Sequence, residues 1–279
     1  MRAYLLAFAA LMAALLTTPA DAELSQWWPI CKGDDLDKSP RQRIESCTAI
    51  IESPGETQEG RATAYFYRAL AWRVLGNLQH AIADFTDAIR LNPRYAAAYG
   101  WRGILLVDTG EYDRAVANYS DALKVFPDDD GYLGRRGYAH FYQADFPASA
   151  ADLHRAIQLI PYSTHNEDRA PMLYLARARA GQDGTAELEA QVERWKSIKK
   201  EIPLTVELYL GRSSPEAVLE AAKSLRTHCE TNFYVGQWQL IRNNRDEARR
   251  RLQLASAKNC DGFHPTHPGA VAELKRMTP

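Results

Sequence analysis

An all-α fold, a solenoid of antiparallel helix pairs, is what this sequence predicts, and three observations carry the prediction. A 34-residue unit is written three times between Ala62 and Pro161, and Pro93, Pro127 and Pro161 are each 34 positions apart. Small residues recur where two helices must approach closely: Ala69, Gly103 and Gly137 on a first segment, Ala81, Ala115 and Ser149 on a second. Gly76 and Gly110 stand between the segments, where a turn needs backbone freedom, and each proline marks where a second helix has ended.

The chain opens with Arg2, an apolar run from Leu5 to Leu16, Pro19, and then Ala20-Asp21-Ala22. Those are the charged, apolar and small-residue regions of a secretory signal. Cleavage is expected between Ala22 and Glu23, giving a periplasmic or secreted protein. The run is shorter than the ~20 residues that span a bilayer, and no later stretch approaches that length, so no membrane span is expected. No cysteine follows it in the small-residue context of a lipid-modified signal; Cys31 comes after Trp27-Trp28-Pro29-Ile30. Four cysteines in an oxidising compartment suggest two disulfides. Spacing favours Cys31–Cys47 and Cys229–Cys260.

The organisation expected after the signal (1–22) is a leader and capping half-repeat at 23–61, then three repeats at 62–95, 96–129 and 130–163. A degenerate helical region at 164–228 and a C-terminal repeat with a capping helix at 229–279 follow. Residues 23–39, rich in Asp and Pro, read as an extended leader ending at the helix-start signal Ser39-Pro40. The helix from Pro40 to Ser53 aligns with the second helix of the repeats, which puts Cys47 at the inward position of Phe85. Arg68, Arg102 and Arg136 are each followed sixteen residues later by Asp84, Asn118 and Asp152. A charge-assisted bond within each helix pair is the reading of that spacing. Helices are expected over 169–180, 185–200, 202–210 and 215–225. The unit then returns, with Gly236 at the Gly103 position and Ala248 at that of Ala115. Cys229 opens the first helix and Cys260 replaces the terminal proline, neighbouring points in an antiparallel hairpin. A final helix is expected over 269–277.

No catalytic chemistry is legible. Lys+Arg is 34 and Asp+Glu 35, a net charge of −1, which argues against nucleic acid as the main partner. His264 and His267 have a possible ligand spacing, but they sit in a proline-flanked turn with no third ligand, and no metal or other cofactor is expected. His140 reads as a hydrogen-bonded core histidine. Gly131, Gly134 and Gly137 lie on a helix face and make no phosphate loop. Asp128, Asp129 and Asp130 read as a cap for the next helix.

The period, the small-residue positions and the terminal prolines resemble the tetratricopeptide repeat, which implies a right-handed superhelical solenoid of helix pairs. The string Glu230 to Gln237 is similar to the C-terminal repeat of NlpI-type periplasmic adaptor proteins. That resemblance implies envelope hydrolases or proteases as partners and a homodimer as the assembly. The lipid-attachment cysteine of that type is missing here, and Cys229 and Cys260 are an addition to it.

A solenoid offers a concave face lined by its first helices. Helical phase places Phe66, Leu70 and Arg73 there from the first repeat, and Ile104, Val107 and Asp108 from the second. Arg135, Tyr138, Phe141 and Tyr142 come from the third, with about half of the set expected to be exposed. Tetratricopeptide proteins that clamp a C-terminal carboxylate use Lys and Asn at five positions. Phe66, Leu70, Trp101, Gly131 and Arg135 stand there in this chain, so that mode is excluded. The expected function is an exported scaffold or adaptor holding a protein or peptide segment in an apolar groove, in cell-envelope assembly or turnover. The alternative is a binding protein for a small cell-wall fragment, with residues 162–228 as a lid.

Overall fold

The computed structural model describes residues 19–34, 37–262 and 265–278, with side chains from residue 24 onward. These residues form fifteen α-helices and one 3-10 turn, with no strand among them. They divide into an N-terminal compact unit ending at Leu105 and a C-terminal one beginning at Leu106. The apolar run of the expected signal lies outside the described residues.

The N-terminal unit contains α1 (Pro19–Lys32), α2 (Pro40–Glu52), α3 (Gln58–Val74), α4 (Leu78–Leu91) and most of α5 (Ala96–Asp108). Residues expected as an extended leader are thus helical up to Lys32. Leu24, Trp27, Trp28 and Cys31 stand at i, i+3, i+4 and i+7, one face of a helix. They pack with Cys47, Ile50 and Ala64. Pro29 removes one donor from that helix, and the buried face compensates together with the Cys31–Cys47 disulfide, whose Cα atoms are 4.9 Å apart. Instead of a lone capping helix there is a helix pair, α1 on α2. The Ser39-Pro40 start is a reciprocal cap. The Gln42 amide N–H donates to Ser39 Oγ at 3.3 Å, and the Ser39 amide N–H donates to Gln42 Oε1 at 2.9 Å.

In the first repeat Ala69 and Ala81 are fully buried where α3 meets α4, with Phe85 and Ala88 beside them. The Arg68 guanidinium donates to both Asp84 oxygens at 2.8 Å and to Thr48 Oγ1 at 2.9 Å. Arg136 repeats this in the C-terminal unit, with both Asp152 oxygens at 2.7 Å and Ser120 Oγ at 3.1 Å. Arg102 donates to Thr86 Oγ1 at 3.0 Å. Each arginine therefore reaches a hydroxyl on the second helix of the preceding repeat, and Arg68 and Arg136 also close their own repeat with a bidentate carboxylate pair. Thr86 and Ser120 are one period apart.

The C-terminal unit continues with α6 (Tyr112–Val125), α7 (Asp130–Gln143), α8 (Phe146–Leu159), α9 (Asn166–Arg179) and α10 (Thr185–Ser197). Then come α11 (Leu204–Tyr209), α12 (Pro215–Glu220), α13 (Leu225–Ile241), α14 (Arg245–Ala255), the 3-10 turn Lys258–Cys260 and α15 (Thr266–Met277). Asp129 caps α7, its Oδ1 accepting from the Tyr132 amide at 2.8 Å. Its core joins Phe141, Leu153, Met172, Trp195, Phe233 and Leu252. A Cβ on Gly137 would lie 2.8 Å from Leu153, and one on Gly236 3.0 Å from Leu252, so α13–α14 meet as α7–α8 do. The Cys229–Cys260 disulfide, Cα atoms 5.7 Å apart, closes that last pair. α13 is buried on several sides, from Cys229 through Gln237, between α14 and α15. The turn glycines Gly76 and Gly110 have φ of +76° and +78°; the equivalent Ala144 has φ +68° with a Cβ to accommodate.

Candidate protein-binding faces

On the N-terminal unit, Phe66, Leu70 and Arg73 follow one another at helical spacing along α3. Phe66 is buried, stacked on Tyr95 with ring centroids 5.0 Å apart. Burial pushes the Tyr95 hydroxyl up to about 12, so it stays neutral. Leu70 is half-buried and Arg73 exposed, with its guanidinium 4.7 Å from the centre of the Trp101 ring. Ile104 on α5 is also half-buried. A cation over an indole contributes about 0.5–1 kcal/mol where exposed, and here it pre-orders a flexible side chain. Leu70, Trp101 and Arg73 thus gather around buried Phe66, with Ile104 one turn beyond Trp101 on α5. Trp101 entered the sequence reading only through the excluded carboxylate clamp.

The C-terminal unit treats its first-helix residues differently. Phe141 is fully buried, edge-on to Phe146 at 5.3 Å. Tyr142 is buried, and its hydroxyl donates to Pro265 O at 2.8 Å. Val107 is buried too, and lines a small cleft with Pro268, Val271 and Lys275 of α15. Arg135 and Asp108 are exposed and Tyr138 half-buried. The chain's own last helix occupies this ground. Arg276 Nη1 donates to Tyr142 O at 2.7 Å, Tyr112 OH to Pro268 O at 3.4 Å, and a Cβ on Gly269 would be 2.7 Å from Phe233. Glu273, 1% exposed, sits between Arg179 and Arg276 at 2.6 Å each. Burial pushes its carboxyl up, but the two guanidinium groups outweigh that and hold it below the usual carboxylate range. The sequence signalled α15 as a helix and carried nothing that said where it docks.

Two other groups complete the chemistry. Burial, with the charge of Glu230, raises the Asp168 carboxyl to about 6. His140 departs from the hydrogen-bonded histidine expected. Its ring nitrogens lie 3.8 and 3.9 Å from the Asp145 and Asp152 carboxylates, and Nδ1 is buried without a hydrogen bond. His264 lies outside the described residues; His267 Nδ1 is 3.7 Å from Asp261. No cluster of three metal-ligating side chains occurs among the described residues.

A cavity of about 270 Å³ opens where α8 and α10 both pack on α9 while standing apart from each other. Its floor is Ile157, Leu173 and Leu188, all buried. His154 on α8 and Glu187 on α10 bridge one end at 2.7 Å, with Arg177 donating to both Glu187 oxygens at 3.0 Å.

The family model for the tetratricopeptide repeat matches residues 75–129 and 102–164. A tetratricopeptide repeat protein from Parabacteroides merdae is similar in structure, with a TM-score of 0.60 at 14% identity over 93% of this chain and 100% of that one. The pilF protein of Pseudomonas aeruginosa gives a TM-score of 0.52 at 11% identity over 88% of this chain and 98% of that one. Likeness at such identities is one of fold. No curated protein matches the chain. With the 34-residue period, the close glycine contacts and the recurring arginine pairs, these matches identify residues 75–164 as tetratricopeptide repeats.

Proposed function

We propose that this protein is an exported scaffold, an adaptor that holds a protein or peptide segment on the first-helix face of its N-terminal unit. It acts in cell-envelope assembly or turnover by positioning its partner, with no catalysis of its own. The carrying observation is the strip of Leu70, Arg73, Trp101 and Ile104, an aromatic-and-guanidinium surface mounted on packed helices. A partner helix would set apolar residues on Leu70 and Ile104 and a carboxylate on Arg73. The two disulfides support an oxidising compartment. No helix among the described residues is long and apolar enough to cross a membrane. Envelope hydrolases or proteases are the partner class suggested by the similarity of residues 230–237 to NlpI-type adaptors, which also suggests a homodimer.

Phe141 and Tyr142 belong to the core, so the test uses the partly exposed strip. Affinity capture from envelope fractions is run with the native chain and with Arg73→Glu plus Ile104→Asp. Loss of the captured partner with helical content unchanged is the expected result; an identical set of captured proteins refutes this face as the binding surface. A second reading, a small-ligand binding protein, is favoured by the cavity between α8 and α10.

A further inference from the structure

We infer that the cavity on α9 is a binding site for a small amphiphile with an anionic head, of the class of medium-chain alkyl carboxylates. The inference rests on this cavity alone and is independent of partner capture by the N-terminal unit.

In a regular stack, second helices of successive repeats fill the space over the intervening first helix. Here α8 and α10 leave a cleft open, because α10 turns Ala186 and Ala190, both exposed, towards it. Two of the six α10 residues lining the cleft, one turn apart, thus carry no more than a methyl group. The volume, about 270 Å³, is near the lower edge of the ~300–1,000 Å³ of small-molecule sites. Its interior is apolar, since Ile157, Leu173 and Leu188 supply the floor. From Glu187 to Arg194 the cleft runs seven residues along α10, about 10 Å at the helical rise.

Charge distinguishes the two ends. At the Glu187 end the carboxylate is already matched, by the bidentate Arg177 and by His154 at 2.7 Å. At the other end Arg194 donates only to the neutral Gln191 Oε1, at 3.0 Å. The nearby glutamates are engaged elsewhere, Glu193 with Lys196 at 2.7 Å and Glu189 with Arg212. Arg194 therefore stands at the mouth of an apolar cleft with no carboxylate of its own among the described residues. Gln191 is held in turn, its Nε2 donating to Pro161 O at 3.1 Å, so the mouth is built on a fixed side chain. A ligand that lays an alkyl chain on Leu173 and Leu188 and brings a carboxylate to Arg194 satisfies both features. A cationic or neutral head forfeits the second.

Calorimetric titration of the full chain with octanoate, octanol and octylammonium tests this. Saturable one-to-one binding of octanoate is expected, with octanol and octylammonium at least tenfold weaker. Arg194→Gln should weaken octanoate at least tenfold and leave octanol unchanged; Ala190→Trp, at an exposed position, should abolish both by filling the cleft. Should Ala190→Trp fail to fold by circular dichroism, Arg194→Gln and the head-group series decide the matter. Absence of saturable octanoate binding overturns the inference. So does octanoate binding that is undiminished in Arg194→Gln, or equal binding of all three probes.

Discussion

Removing the Cys229–Cys260 bond should loosen the C-terminal repeat and leave the N-terminal unit as it was. The bond joins the second turn of α13 to the 3-10 turn after α14, residues 31 apart in sequence. It therefore encloses almost the whole helix pair. A closed loop of that size removes about 3–4 kcal/mol of chain freedom from the denatured state on the chain-entropy account. Once α13 can swing away from α14, Phe233 and Val235 lose their cover, and α15 loses the floor on which Gly269 sits. The N-terminal unit has a core of its own, so its helices should keep their protection. A single unfolding free energy would blur that, and amide exchange resolved along the chain is the suitable assay. The variant is Cys229→Ala with Cys260→Ala, which keeps Cys31–Cys47 intact. Amides of α13, α14 and α15 should exchange about a hundredfold faster or more, at 1.4 kcal/mol per factor of ten, while those of α3 and α4 keep their rates. Protection in α13–α15 within about threefold of native would refute the reasoning, as would an equal loss in α3 and α4.

Two further outcomes follow from single residues. Ala144→Gly should stabilise the third repeat by about 0.5–1 kcal/mol, because Ala144 carries a Cβ at φ +68° where Gly76 and Gly110 carry none; thermal unfolding that does not shift upward, or shifts down, contradicts it. Glu273 has a folded pKa below its ordinary 4.5, so its contribution is present above that value and is lost as pH falls through the folded pKa. Proteolysis at residues 266–278 should therefore accelerate in acid, and Glu273→Gln should weaken docking at neutral pH while removing that acid dependence. Asp168, raised from 3.8 to about 6, works in the opposite sense over its own window, so only the difference between native chain and variant isolates Glu273; a variant with the native acid profile counts against the assignment.

Much of the scaffold was legible because it is local and periodic. The 34-residue spacing named the helix pairs, and Arg68 with Asp84 and Arg136 with Asp152 were readable as partners from one recurring interval. Both disulfides were readable once the hairpins were drawn, since antiparallel helices bring their far ends together. Asp129 announced the α7 cap by its place before the helix. The α1 helix was missed although Leu24, Trp27, Trp28 and Cys31 spell its face; Pro29 and the nearby acidic residues masked a period that spans only two turns.

The candidate faces were legible only in part, and the division has a physical cause. Helical phase can name the faces on which Leu70 and Ile104 lie half-buried and Arg73 exposed, because phase is a property of one helix. It could not separate Tyr142 from Leu70, because Tyr142 is covered by Pro265, 123 residues further on, and no local pattern encodes which distant segment returns to cover a face. The same holds for Arg194, whose meaning depends on an absence of side-chain bulk at Ala186 and Ala190 opposite another helix. The amino-acid sequence determined the helix pairs, their cysteine bonds and their arginine ties, all interactions between elements adjacent in the chain. Tertiary structure alone decided which inner surfaces are filled by α15, which stay open, and where a cavity remains, because burial is settled by the last element to dock.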